Sequence, residues 1–135
     1  MADLTPSDPQ AGGQDASLKD QQTPQPGLEP GPRTRLRVAA VGDLHVGETS
    51  ERVYRELFER VSDDADVLCL CGDLTNYGKT SEVERLLDDL KLCTIPMVGV
   101  LGNHEHECGQ PDVVTRMLCD AGVQVLNGQA YEIEG

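Results

Sequence analysis

The sequence predicts an α/β protein built on a mainly parallel sheet, and three observations carry that reading. Three apolar runs each end in Gly followed by Asp or Asn, helical periodicities separate the runs, and Asp43, Asp73 and Asn103 recur at intervals of 30 residues. About 30 residues is the length of one strand-helix-strand unit, and such alternation produces a parallel sheet.

The strands come first. Leu36 to Val41 ends at Gly42-Asp43, Asp66 to Cys71 ends at Gly72-Asp73, and Pro96 to Leu101 ends at Gly102-Asn103. Their near-continuous apolar character reads as buried strands. A first helix follows Thr49-Ser50, with Val53, Tyr54, Leu57, Phe58 and Val61 at helical spacing. A second follows Ser81, with Glu84 completing a capping box and Val83, Leu86, Leu87 and Leu90 facing inward. A third spans Asp112 to about Asp120, turns Val113, Val114, Met117 and Leu118 inward, and stops at Gly122. Val123 to Leu126 and Gln129 to Ile133 alternate around Asn127-Gly128, the signal of a hairpin.

Residues 1–32 differ in kind. They hold six of the eight prolines, are rich in Gln and Gly, and are acidic, so they are expected to be a disordered leader preceding a folded region over 33–135. They lack the basic start and apolar run of a secretory signal, and no stretch of the chain approaches a membrane span. Five cysteines at irregular spacing, several within apolar segments, read as reduced thiols in a cytoplasmic protein. Cys69 and Cys71 read as packing residues. Eleven Lys and Arg against 24 Asp and Glu give a net charge of -13, which argues against nucleic-acid binding by broad attraction.

Equivalent positions in successive parallel units lie at the same end of the sheet. The 30-residue register therefore gathers Asp43, Asp73 and Asn103 at the carboxyl edge, where open α/β sheets bind ligands. Gly42, Gly72 and Gly102 allow the sharp turns before them. A single Gly-Asp after a strand is most often a turn, but three in register point to a site. Asp43 and His45 are two apart, so in extended backbone they point to one side and can hold one cation. Asp73 has two oxygens to bridge two cations, and Asn103 adds an amide oxygen. His104 diverges from Asn103 and is free for acid work. The mixed oxygen and nitrogen set suits manganese, iron or zinc.

Gly42-Asp43-Leu44-His45, Gly72-Asp73-Leu74-Thr75-Asn76-Tyr77-Gly78 and Gly102-Asn103-His104-Glu105 resemble, in order, identity and spacing, the first three signature blocks of the calcineurin-like metallophosphoesterase superfamily. The resemblance covers residues 35–135. It implies a four-layered αββα sandwich with two metals: Asp43 and His45 on the first, Asp73 bridging both, and Asn103 on the second. His104 is implied as general acid or transition-state hydrogen-bond donor, with Glu105 helping to orient it. Two such cations lower the pKa of a bridging water and neutralise phosphoryl oxygens during in-line attack, and they dominate the local field despite the net charge.

The protein-phosphatase branch carries an Asp and then Arg-Gly after its second block, where this chain has Asn76-Tyr77-Gly78. The resemblance is therefore to branches that hydrolyse nucleotides, cyclic nucleotides or other small phosphoesters. A further His and a Gly-His-x-His block are also expected of the family, and the sequence ends at Gly135 before either. On this count the chain alone binds at most one metal, weakly. An uncovered sheet face is expected to make it marginally stable, self-associating or dependent on a partner.

His106 is expected to be a solvated loop side chain, and a zinc cluster of His104, His106 and Cys108 has a spacing that fits no closed site well. Asp63, Asp64, Asp88 and Asp89 read as solvated helix ends or faces rather than ligands. A dinucleotide-binding fold lacks its Gly-x-Gly-x-x-Gly turn. The alternative to an enzyme is an inactive chain acting through weak metal binding or protein interaction.

Overall fold

The computed structural model describes residues 35–49, 51 and 54–133. The leader expected over 1–32, and the inward placement of Val53, lie outside the described residues. In chain order the elements are β1 (Val38–Val41), α1 (Arg55–Asp64), β2 (Val67–Cys71), α2 (Thr80–Leu90), β3 (Met97–Val100), a 3-10 turn η1 (His104–His106), α3 (Pro111–Asp120) and β4 (Val123–Val125).

The four strands form one sheet in the order β1-β2-β3-β4, and every pairing is parallel. Because the order never reverses, right-handed crossovers put successive helices on the same side. The core confirms this. The sheet residues packed in it are Ala39, Val41, Leu68, Leu70, Met97, Val123 and Val125, all on one face by register. Phe58 and Val61 of α1, Val83, Leu86 and Leu90 of α2, and Val114 and Leu118 of α3 meet them. Each fully buried side chain of this kind contributes about 1.5–3 kcal/mol. The result is an α/β fold consistent with one sheet and one helical layer of the αββα sandwich.

The opposite sheet face is more open. Val38 is 57% and Val100 42% exposed, and Cys71 is exposed as well. β1 is thus not the buried strand its apolar run implies: it lies at the sheet edge and alternates between exposed and half-buried positions. Cys71 likewise faces outward rather than packing, while Cys69 is half-buried.

Other expectations need correction. Leu57 is 44% exposed, because α1 turns Phe58 and Val61 to the core instead. The second helix starts at Thr80, one residue before Ser81, and Glu82 rather than Glu84 closes its amino end. Oε2 of buried Glu82 accepts the N–H groups of Tyr77 at 2.8 Å and Lys79 at 3.3 Å. Ser81 donates its hydroxyl to Glu48 at 2.8 Å. Asp63, Asp64 and Asp88 are exposed, but Asp89 is buried. The third helix begins at Pro111, where a missing N–H costs nothing, and ends before Gly122, whose φ is +93°.

The hairpin is not present. Val123–Val125 forms β4, parallel to β3, and no strand follows among residues 126–133. The Leu126 N–H extends the parallel pairing to the Gly99 carbonyl at 2.8 Å. At the Asn-Gly turn, the Asn127 N–H is satisfied by Gln129 Oε1 at 2.6 Å instead of a returning strand.

Candidate metal centre

The first two blocks are zipped together beyond the ends of β1 and β2. Asp43 N–H donates to the Gly72 carbonyl (3.0 Å), His45 N–H to Asp73 (3.1 Å) and Val46 N–H to Leu74 (3.0 Å), and Asn76 N–H returns to Val46 (3.1 Å). Val46 and Thr75 form an isolated parallel bridge in the same run. Tyr54 donates its hydroxyl to the Leu44 carbonyl at 2.9 Å, tying the loop to the start of α1.

This zipper holds unusual backbone. Asp43, His45 and Asp73 have φ of 54°, 48° and 50°, the left-handed region. Side chains held there cost on the order of 1–3 kcal/mol each and persist where surrounding structure over-determines them. The expectation of extended backbone from Asp43 to His45 is corrected here. Their side chains still approach, with His45 Nε2 3.8 Å from Asp43 Oδ1.

The third block is attached by Glu105, which is 0% exposed. Its Oε1 accepts the Thr75 N–H (2.8 Å) and hydroxyl (3.1 Å). Its Oε2 accepts the N–H groups of Asp73 (3.0 Å) and Gly102 (2.7 Å). These bonds go to the backbone and Thr75, not to the His104 ring as the orienting role implies. The carboxylate binds the loop after β2 to the loop after β3. Close packing reinforces it: Gly72, at φ +85°, lies against Gly102, and a Cβ on Gly102 would overlap the Asp73 carboxylate. Gly42 packs beside Cys71, which a Cβ would meet at 3.1 Å.

His104 is oriented by a different group. Its Nδ1 lies 2.6 Å from the Asn76 carbonyl, which can only accept, so Nδ1 carries the proton and Nε2 is the atom available to the site. The hydrogen bond to Asn76 raises the imidazole pKa above its ordinary 6.5; burial opposes it in part, and the charges of Asp73, Glu107 and Glu105 add smaller contributions in the raising sense. The His104 N–H donates to Asp73 Oδ1 at 3.1 Å. The rings of His45 and His104 meet edge to face, with centroids 4.4 Å apart.

Among the described residues, His45, Asp73 and His104 bring donor atoms within 4.8 Å of one another, each half-buried. Two imidazoles and a carboxylate fit a divalent transition metal. His104 therefore joins the cluster rather than pointing away, and its partners are not His106 and Cys108, both of which are exposed. Asp43 sits at the rim beside His45. Asn103 is exposed at the start of η1.

The loop-tying role of Glu105, which the sequence marks only as a support for His104, and the Asn76 carbonyl are the features that sequence reasoning did not place. Glu105 had a signal: it stands three residues after Gly102 and bonds its N–H, the same reach as the acid of a capping box. The Asn76 contribution is a backbone carbonyl, which no side-chain pattern announces.

The model of the calcineurin-like phosphoesterase family matches residues 36–129. That is more than half of the chain, which therefore belongs to this family. No curated protein gives a significant match. No helix among the described residues is long and apolar enough to cross a membrane.

Proposed function

We propose that this chain is part of a metal-dependent phosphoester hydrolase whose complete site uses two metal ions, of manganese, iron or zinc, on a small phosphoester or nucleotide rather than a phosphoprotein, and that the chain by itself holds at most one of them, weakly. The observation that carries the reading is the closure of His45, Asp73 and His104 to within 4.8 Å at the carboxyl edge of a parallel sheet. Family membership supports the reaction class, and Asn76-Tyr77-Gly78 in place of Asp and Arg-Gly supports the smaller substrates.

Asp43, His45 and Asp73 would hold one ion, and Asp73 and Asn103 would contribute to the second. When bound, such ions supply Lewis-acid activation of water and neutralise phosphoryl charge. The protein's own residues do the positioning. Asp73 is fixed through Oδ1 by the His104 N–H, which leaves Oδ2 for a cation. His104, held at Nδ1 by Asn76, is the member of the triad left off the ion in this assignment, so its Nε2 would be free to protonate the leaving oxygen or to hydrogen-bond the phosphoryl group. Its raised pKa favours the protonated form. The five free cysteines support a cytoplasmic setting.

The test is hydrolysis of phosphomonoester and phosphodiester substrates with added manganese, for the natural chain and for Asp73→Asn. Metal-dependent turnover that falls at least ~100-fold in the variant is expected. Equal rates in the two proteins would refute the assignment. No hydrolysis together with no manganese binding by calorimetry would favour a non-catalytic interaction module.

A further inference from the structure

A cavity of about 300 Å³ lies at the same carboxyl edge of the sheet as the candidate metal centre, bounded by the ends of β3 and β4, η1 and the first turns of α3. We propose that it receives the organic group of the phosphoester, and that this group is a ring-bearing alcohol without further anionic groups. The inference rests on the hydrolase reading above and adds the substrate class.

Position is the first argument. Leu101, in the cavity wall, immediately precedes Gly102-Asn103, and His106, also in the wall, shares its 3-10 turn with His104. At about 2 Å rise per residue, His104 and His106 are about 4 Å apart along that turn. An ester whose phosphoryl group lies at His45, Asp73 and His104 has its alcohol portion within reach of this space.

Size and lining give the class. The volume is at the small end of ligand pockets, which begin near 300 Å³. Leu101, Val125 and Leu126 supply apolar walls, while Asp112 and Asn127 supply a carboxylate and an amide. Apolar walls suit the faces of a ring, and a few polar groups suit hydrogen bonds at its edge. No Lys or Arg is among the lining residues, and Asp112 adds a negative charge. A second phosphate or a carboxylate on the alcohol would meet repulsion from Asp112 with no Lys or Arg in the walls to offset it.

The test compares methyl phosphate, benzyl phosphate and 4-carboxybenzyl phosphate, whose leaving alcohols are of similar acidity, with added manganese, and follows benzyl alcohol binding by methyl NMR without metal. Benzyl phosphate should exceed both others in kcat/KM by about tenfold or more. Benzyl alcohol should shift the methyls of Leu101, Val125 and Leu126. Asp112→Asn should narrow the gap between benzyl and 4-carboxybenzyl phosphate. Asn127→Trp, a change at an exposed position that fills the cavity, should abolish the benzyl alcohol shifts and lower the preference for benzyl over methyl phosphate. Hydrolysis indifferent to the organic group, with no methyl shifts, would overturn this inference while leaving the hydrolase reading intact. Failure to hydrolyse any of the three esters, with benzyl alcohol still bound, would instead overturn the hydrolase reading and this inference with it.

Discussion

One carboxylate oxygen of Glu105 accepts the backbone N–H of Asp73, so a residue of the candidate metal centre is held by a buried acid 32 positions away in sequence. The same oxygen takes the Gly102 N–H, and the other takes two donors from Thr75. All four are donors. Glu105→Gln places an amide N–H₂ against at least part of this set, and hydrogen bonds to a buried charged acceptor contribute about 1.5–3 kcal/mol each. The variant should lose about 2–4 kcal/mol of stability in urea unfolding and bind manganese more weakly by calorimetry. A variant with unchanged unfolding midpoint and metal affinity would show that the acid does not organise the loops.

Gly102 tests the same junction from the other side. A Cβ there would overlap the Asp73 carboxylate and come too close to its backbone nitrogen. Overpacking of this kind costs about 1–3 kcal/mol, and relieving it requires the Asp73 carboxylate and backbone to shift. Gly102→Ala should therefore lower manganese affinity at least ~10-fold while the far-UV circular dichroism stays that of an α/β fold. Undiminished manganese binding would mean that the Asp73 position is not critical.

Which parts of this arrangement were legible in the sequence follows from what holds each part. The strand ends at Gly42-Asp43, Gly72-Asp73 and Gly102-Asn103 could be read because an apolar run followed by a glycine and a polar residue is local, and its recurrence fixes the shared edge. The position of His104 could not. Its ring is turned by the Asn76 carbonyl, a backbone group from another block. Neither could the left-handed backbone of Asp43 and His45, which is imposed by hydrogen bonds to the loop after β2. The hairpin misread has the same origin: Asn127-Gly128 is a local turn signal, whereas β4 takes its partner from β3.

The hydrogen bond to Asn76, with nearby acids, raises the His104 pKa above 6.5, and this gives stability a direction with pH. A group whose folded pKa is raised binds its proton more tightly when folded. Its contribution is fully present below the unfolded value near 6.5 and is lost as pH rises through the higher folded value. In the metal-free protein, the gap in unfolding midpoint between the natural chain and His104→Gln should shrink as pH rises above 6.5. An NMR titration placing the ring at or below 6.5 would remove the basis for this dependence.

Asp89 offers a change in the opposite sense. It is 5% exposed on the core side of α2, flanked by buried Leu86 and Leu90, and its Oδ1 has no hydrogen-bond partner among the described residues. A carboxylate oxygen removed from water without a donor carries a larger desolvation cost than a neutral amide of the same shape. Asp89→Asn keeps the volume and removes the charge, so it should raise the urea midpoint, with a gain of about 1 kcal/mol. Because Asp89 is absent from the metal centre and from the cavity at the same sheet edge, manganese affinity should be unchanged. A destabilised Asp89→Asn protein would show that the carboxylate has a partner whose loss outweighs the relief of its burial.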